Sequence, residues 1–328
     1  ENKGLHISAA MLSLSTPYVQ YEAGAKWNGK HIEHLGHNFD VRDKDVLLEN
    51  TSLPVPDYGA WWCFCLPVED IRKNGLSYPF FIKFDDAEYG IRNRVHGKII
   101  TMNGVAVSHE DFDKKYSTHL EYYSIRNQLV LNAVTLEKSF ALTMRRLIAS
   151  AVKHLFSYRY DVMPLIIRAF NDFLQGPEFF KTAEDDKINA EIMSMRTKMQ
   201  PLSTVEGWGT DRCAMGDNEK GKYLLSAITA GGHIIPSVFL KKKIKCVPIS
   251  GTTISSCLGY KTTVQYQSGS PECIILCRNV KKYFYWLFKV IGLAIKLCFR
   301  YSRVKKQYIS EKRRITSMDF WKRRLDLN

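Results

Sequence analysis

The feature that most constrains the fold is a change in hydrophobic period along the 328-residue chain. Up to about residue 110, short apolar runs alternate with Gly, Pro and Asn, which is typical of strands and loops. From about residue 116 to 180, apolar residues recur at helical spacing, as in Leu129, Val130, Ala133, Leu136 and Phe140. Residues 223–277 return to a β-type composition, and residues 279–308 have the pattern of a long basic amphipathic helix. The sequence therefore predicts an α/β protein.

Local patterns in the first 110 residues predict individual elements. Strands are expected at Trp61–Leu66, at Pro79–Phe84 and at Gly104–Val107, and a short helix at Val68–Asn74 is stopped by the next residue, a glycine. Further along, the sequence predicts a charged helix at 181–198, a loop at 201–221 and a final helix capped by Ser317.

The net charge is +14, and the basic residues are concentrated at the C-terminus. Residues 278–328 carry fifteen Lys and Arg against three Asp and Glu, so the rest of the chain is nearly neutral. This distribution predicts an anionic membrane surface as partner rather than nucleic acid, which needs basic residues over a whole binding face. The helix at 279–308 contains Lys289, Lys296, Arg300 and Arg303 and has no run of about 18 uncharged apolar residues. It either lies on a membrane or packs on its own domain or a neighbouring subunit.

The eight cysteines are scattered and match no zinc-site spacing. Cys63 and Cys65 would point to opposite faces of a strand, and Cys273 and Cys277 have no second pair. We expect free, mostly buried thiols in a reducing compartment.

Two adjacent carboxylates, Asp85 and Asp86, follow the predicted strand Pro79–Phe84 and precede a helical turn. A carboxylate at a strand end can act as a general base toward a substrate hydroxyl. The alternative is that one of the two only caps the next helix. His109 ends the following strand, and an imidazole beside carboxylates is a natural ligand for a divalent cation.

Other residues have both a structural and a functional interpretation. Trp61 and Trp62 are either core residues or, where one indole is exposed beside the acids, a platform for a sugar ring. His31, His34 and His37 are spaced by three, but their surroundings predict a polar loop near an acceptor cleft rather than a metal site.

An ordered series of motifs resembles a known family over nearly the whole chain. The series is Asp57-Tyr58-Gly59-Ala60-Trp61-Trp62, the run FIKFDDAEYGIR at 81–92, the strand from Gly104 to His109, Tyr122 to Asn127, Lys153-His154-Leu155 and Asp172 to Glu178. It is similar to the C-terminal half of the polymerising galactofuranosyltransferases of bacterial cell walls. These are inverting, metal-dependent enzymes of glycosyltransferase family 2 with a GT-A fold.

The resemblance implies a role for each matched residue. Asp86 corresponds to the family's catalytic base, Asp85 to the acid before it, His109 to its metal-binding histidine, and Trp61 and Trp62 to its acceptor-binding tryptophans. It implies a UDP-galactofuranose donor, Mn²⁺ or Mg²⁺ as cofactor, and a polysaccharide or lipid-linked acceptor. It also implies homo-oligomers, and a cytoplasmic location on the inner face of the bacterial membrane.

The sequence departs from the family pattern in two respects. Phe84 and Ser108 stand where the family usually has Trp, which alters the expected acceptor pocket. The family's nucleotide-binding strands and acidic metal motif precede the segment matched at Ala9 to Met11, and Asp43-Lys44-Asp45 imitates that motif in the wrong place. We therefore expect the nucleotide-binding half to be missing, and the nucleotide-binding residues are unknown.

These observations predict a partial GT-A domain at 1–115, a helical segment at 116–200, and a β-containing module with basic amphipathic helices at 201–328. The expected function is hexosyl transfer to a growing cell-surface polysaccharide. The alternative is a non-catalytic accessory fragment that binds glycan or membrane.

Overall fold

The structure is a computed structural model that describes residues 4–94, 98–110, 117–205, 219–267 and 270–327, with the backbone alone at 219–221. In this part of the chain, a five-stranded sheet, a four-stranded sheet and a two-stranded ribbon combine with eleven α-helices. The predicted α/β class is confirmed. The arrangement is consistent with a Rossmann-like domain followed by a helical segment, a small β module and C-terminal helices. The exact division into three parts stays a prediction.

The strands, in chain order, are β1 (Leu5–Ser13), β2 (Val19–Glu22), β3 (Ala25–Trp27), β4 (Ile32–His34), β5 (Phe39–Asp40), β6 (Phe64–Cys65), β7 (Lys98–His109), β8 (Gln200–Pro201), β9 (Lys245–Pro248), β10 (Thr262–Tyr266) and β11 (Glu272–Cys277). The helices are α1 (Lys44–Thr51), α2 (Val68–Asn74), α3 (Asp85–Asn93), α4 (His119–Thr135), α5 (Ser139–Phe156), α6 (Met163–Phe173), α7 (Glu178–Thr182), α8 (Asp185–Ser194), α9 (Glu219–Ile228), α10 (Val280–Ile315) and α11 (Met318–Arg324).

Strand β1 is the centre of the larger sheet. It pairs antiparallel with β2 and β6 and parallel with β7, and β5 pairs with the far side of β2. The parallel register ends with Ser13 opposite His109, and the Leu14 N–H donates to the His109 carbonyl at 2.8 Å. The two strands of a parallel pair run in the same direction, so their carboxyl ends lie at the same end of the sheet. This pairing therefore places His109 at that end, beside Ser13.

The main hydrophobic core lies among the helices. Leu129 of α4, Leu147 of α5 and Phe170 of α6 are buried in one cluster with Leu297 of α10. Ile274 of β11 belongs to the same cluster, so the small sheet shares this core. Each such side chain contributes roughly 1.5–3 kcal/mol when it is fully buried. The long C-terminal helix is therefore an integral part of the fold along one of its faces.

Several element predictions are confirmed. The helix at Val68–Asn74 has the expected bounds, and the Ser317 hydroxyl accepts the Phe320 N–H at the start of the last helix. The strand expected from Gly104 lies within the longer β7. The described part of the periodic segment, 117–180, consists mainly of the helices α4 to α7, and the basic helix extends to Ile315. No helix in the described ranges is long and apolar enough to span a membrane.

Two strand predictions are wrong. Pro79–Phe84 forms no strand, because Lys83 and Phe84 adopt left-handed backbone conformations with φ of 69° and 68°. Of the strand expected at Trp61–Leu66, only Phe64–Cys65 pairs with β1, because the two tryptophans lie in a turn.

Most of the described cysteines are exposed rather than buried, contrary to the expectation. Cys246, Cys257 and Cys273 are buried, whereas Cys63, Cys65, Cys277 and Cys298 are exposed. Most of the loop expected at 201–221, including Cys213, lies outside the described residues.

Candidate active site

A cleft of about 460 Å³ contains every residue that the sequence singled out as a site candidate. Asp85, Asp86, Trp61, Trp62 and His109 all line it. The other lining residues are Tyr21, Glu22, Ile32, His34, Tyr58, Ala60, Lys83 and Phe84. The structure therefore brings the acids, the tryptophans and the histidine together from three separate parts of the chain.

The acids are presented by a strained turn. Two consecutive non-glycine residues, Lys83 and Phe84, have left-handed conformations, which cost of order 1–3 kcal/mol each. The Asn127 side chain of α4 stabilises the turn by donating to the carbonyls of Ile82 and Lys83, both at 2.8 Å. The chain then enters α3, with Asp85 as its first residue. Such strain is typical of functional sites, where the surrounding structure holds a side chain in position.

Asp86 lies in the first turn of α3, in surroundings that raise the pKa of its carboxyl group. Phe84 occupies the N-cap position of α3 and makes no side-chain cap hydrogen bond, so neither Asp85 nor Asp86 is the N-cap residue. The Asp86 Oδ1 accepts the Ala87 N–H at 2.6 Å. Burial of the carboxyl group, helped by the charge of Asp85, raises the pKa of Asp86 to about 7, against the lowering effect of that hydrogen bond. A carboxylate with this pKa accepts a proton well near neutral pH.

A close approach of helix α3 to the segment before the tryptophans fixes the geometry behind the acids. A Cβ on Gly90 would lie 2.3 Å from the Tyr58 Cβ and 2.9 Å from its Cα, so only glycine fits this position. Tyr58 is itself buried, and burial together with the charge of Asp86 raises its pKa well above the ordinary value. Its hydroxyl therefore stays protonated in the wall of the cleft.

The two tryptophans differ in exposure, although both line the cleft. Trp61 is 39% exposed and packs edge-on against Tyr89, with the ring centroids 5.6 Å apart. Trp62 is half-buried, and its indole N–H donates to the Ala9 carbonyl at 3.2 Å. An exposed indole face beside carboxylates can stack on a sugar ring, so Trp61 fits an acceptor platform better than its neighbour does.

His109 lies on the other side of Trp62, with the two ring centroids 6.2 Å apart. Its Nδ1 is 2.7 Å from the Glu110 carbonyl, and Nδ1 is therefore the donor in this hydrogen bond. Metal-binding histidines are commonly oriented in this way, with the other ring nitrogen directed toward the ion. However, the described residues contain no group of three or more His, Cys, Asp or Glu that could hold a metal. Among the described side chains, His109 is thus a candidate metal ligand, but these side chains do not complete a metal site.

A hydrogen-bonded pair in the cleft, Glu22 and His34, was missed by sequence reasoning. Glu22, at the end of β2, pairs through Oε2 with the Nδ1 of His34 on β4, and its Oε1 has no hydrogen-bond partner among the described residues. Of the polar loop expected near the cleft at His31, His34 and His37, only His34 lines the cleft, and it lies in strand β4 rather than in a loop. His37 instead donates to the Tyr21 carbonyl at 2.8 Å. Along Val19–Glu22 the structure buries the polar Gln20 and Glu22 and leaves Val19 and Tyr21 half-buried, the reverse of what apolar alternation predicts, so no sequence signal placed Glu22 inward.

The motif at Tyr122 to Asn127 supports the site from behind. Arg126 is buried, lies over the rings of four aromatic residues, and donates to the Tyr122 hydroxyl at 3.1 Å. That hydroxyl donates in turn to Asp172 at 2.8 Å. These residues fix α4, and so the Asn127 side chain that holds the turn before the acids.

Asp43 and Asp45 lie at the start of α1. The Asp43 side chain caps α1 by accepting the Asp45 N–H at 2.9 Å, and neither residue lines the cleft.

Comparison with known proteins gives two partial similarities. Over 188 residues, or 52% of this chain, the sequence is 32% identical to galactofuranosyltransferase GlfT2 of Mycolicibacterium smegmatis, of which it covers 29%. Over 128 residues, or 37% of this chain, it is 33% identical to galactofuranosyltransferase GlfT2 of Mycobacterium tuberculosis, of which it covers 20%. The matches thus span less than a third of either relative. No protein-family model matches the chain.

Proposed function

We propose that this chain is a glycosyltransferase that moves a galactofuranosyl residue from a UDP-sugar to a growing cell-surface polysaccharide or lipid-linked glycan. The observation that carries the proposal is the cleft in which Asp86, with a pKa of about 7, lies with an exposed indole and a histidine. The similarity to GlfT2 supports the sugar and the reaction class. The proposal includes the GT-A fold of family 2.

In the proposed reaction, the acceptor sugar lies against Trp61 with one hydroxyl directed at Asp86. The Asp86 carboxylate takes the hydroxyl proton as the oxygen attacks the anomeric carbon of the donor. The bond from that carbon to the nucleoside diphosphate breaks on the opposite side, so the configuration inverts. Burial of the carboxyl group and, to a smaller extent, the charge of Asp85 keep the pKa of Asp86 high, which makes Asp86 the stronger base.

The proposal includes a divalent cation, Mn²⁺ or Mg²⁺, with His109 as one ligand. When bound, such an ion offsets the charge of the departing diphosphate. Because His109 alone does not complete a site among the described residues, the oxygens of the donor diphosphate would supply further ligands.

We further propose that the chain works on the inner face of the bacterial membrane, and that copies of it associate. The buried face of α10 includes Leu293, Leu297 and Tyr301, whereas its opposite face exposes Phe288 and Phe299. Packing on its own domain therefore accounts for only one face of α10. An exposed apolar stripe flanked by basic residues suits a helix lying in the interface of an anionic bilayer.

The test is transfer from UDP-galactofuranose to a galactofuranosyl acceptor with Mn²⁺ present, followed by mass spectrometry of the acceptor. We expect extension by one hexose or more, and no extension with UDP-glucose. Binding of the acceptor to the chain, measured by calorimetry, runs in parallel. If the chain binds the acceptor but transfers no sugar, the proposal is wrong, and the chain is instead an accessory glycan-binding protein.

A further inference from the structure

A short turn after α9 exposes two large apolar side chains. Val238 is 82% exposed and Phe239 is 75% exposed. The turn is ordered, since the Phe239 N–H donates to the Pro236 carbonyl at 3.0 Å and the adjoining Leu240 is buried. The backbone therefore presents these side chains outward. Ile234, just before the turn, is also exposed.

The turn is attached to the start of α10. The His233 ring stacks on Tyr283 with the centroids 4.1 Å apart, and the Tyr160 hydroxyl lies 2.6 Å from the His233 Nε2. The Arg278 guanidinium, two residues before α10, donates to the carbonyls of His233 and Ile235. These contacts fix the segment before the turn to the start of α10, so the turn and the first part of α10 form one rigid junction.

The sequence on both sides of this junction is strongly basic. Lys241, Lys242 and Lys243 directly follow the turn. Between residues 220 and 310 the sequence contains sixteen Lys and Arg and a single acid, Glu272. Two copies of such a surface would repel each other, so a second copy of this chain is a poor occupant. Nucleic acid would match the charge but not the exposed aliphatic side chains. A bilayer with anionic headgroups matches both.

We propose that Val238 and Phe239 insert into the headgroup region of an anionic membrane, beside the exposed face of α10. The inference rests on the membrane association proposed above and adds a second, separate contact to it. Apolar insertion supplies area removed from water, and Lys241 to Lys243 supply attraction to the anionic headgroups. Two contacts at one junction fix the orientation of the protein on the bilayer, which a single helix lying in the interface does not.

The experiment measures how strongly the full chain and its variants partition into vesicles. The vesicles are made of equal parts of phosphatidylcholine and phosphatidylglycerol. We expect the double variant V238S/F239S to bind about tenfold more weakly than the unmodified chain, because the lost apolar area no longer enters the lipid. The matched control is L48S/V55S, which removes two side chains of similar exposure, at 67% and 66%, away from the junction. Its partition should be unchanged. Circular dichroism and thermal unfolding check that both variants are folded.

Three results would overturn the inference. If V238S/F239S binds the vesicles as tightly as the unmodified chain, the turn does not contact the membrane, and α10 remains a candidate for that contact. No binding of the unmodified chain to these vesicles removes the membrane from both proposals, and transfer to a water-soluble acceptor then shows separately whether the reaction stands. A fall in oligomer mass for V238S/F239S in sedimentation without lipid would assign the turn to contact between copies.

Discussion

Replacement of Asp86 by Asn should stabilise the folded chain at neutral pH. The pKa of the Asp86 carboxyl is about 7 in the folded chain, against 3.8 as the ordinary value. As the pH rises between these values, the unfolded chain releases the proton while the folded chain retains it, so the free energy of unfolding falls. Asn cannot ionise, and its amide oxygen can still accept the Ala87 N–H. The free energy of unfolding of the Asn variant therefore does not fall in this way as the pH rises.

The size of this stabilisation follows from the shift in the pKa of Asp86. About three pKa units at 1.36 kcal/mol each give an upper limit of about 4 kcal/mol above pH 7. Partial exposure of the side chain to solvent reduces this, and we expect about 2 kcal/mol. Below about pH 4 both states are protonated, so the difference between D86N and the unmodified chain should vanish.

Urea unfolding followed by tryptophan fluorescence, in the presence of EDTA, measures this difference at about pH 4 and about pH 8. The control is D45N, which removes an exposed carboxylate from α1 and should leave stability nearly unchanged at both pH values. The reasoning is refuted if D86N is no more stable than the unmodified chain at the higher pH, or if its advantage is equal at both.

Three further predictions concern the cleft. His109→Ala should raise the Mn²⁺ concentration for half-maximal transfer at least about tenfold, and an unchanged metal titration would remove His109 from the site. Trp61→Ala should raise the acceptor KM about tenfold with little change in kcat, because a stacking surface is lost; steady-state kinetics with an unchanged KM would exclude the platform. Gly90→Ala should lower the free energy of unfolding by about 2 kcal/mol, since its Cβ would clash with Tyr58; urea unfolding identical to that of the unmodified chain would contradict this packing.

Local sequence patterns predicted the helices well because the residues that start and end these helices lie within them or directly next to them. The helix at Val68–Asn74 is bounded by a preceding proline and a following glycine, and the last helix has the Ser317 cap in its own sequence. The periodicity of α4 to α6 comes from their burial in one core. The candidate residues Asp85, Asp86 and His109 were identified partly by position at strand ends and partly by resemblance.

The turn before the acids could not be predicted in the same way. The composition of Pro79–Phe84 favours a strand, and the left-handed pair at its end is held by Asn127, 44 residues after Lys83. The pairing of Glu22 with His34 depends likewise on how β2 and β4, in separate sheets, pack together. The raised pKa of Asp86 depends on burial in the assembled cleft, which no local pattern encodes. Contacts between distant segments thus determine the chemistry of the site.

The most direct measurement of the central claim is the rate of galactofuranosyl transfer by D86N, with D45N as the matched carboxylate control. General base catalysis contributes about 10²–10⁴-fold, so we expect D86N to lose at least about 10²-fold in rate while D45N keeps the full rate and D86N still binds the acceptor. A D86N rate within about twofold of the unmodified chain, a margin smaller than any contribution of a general base, would show that Asp86 is not the base.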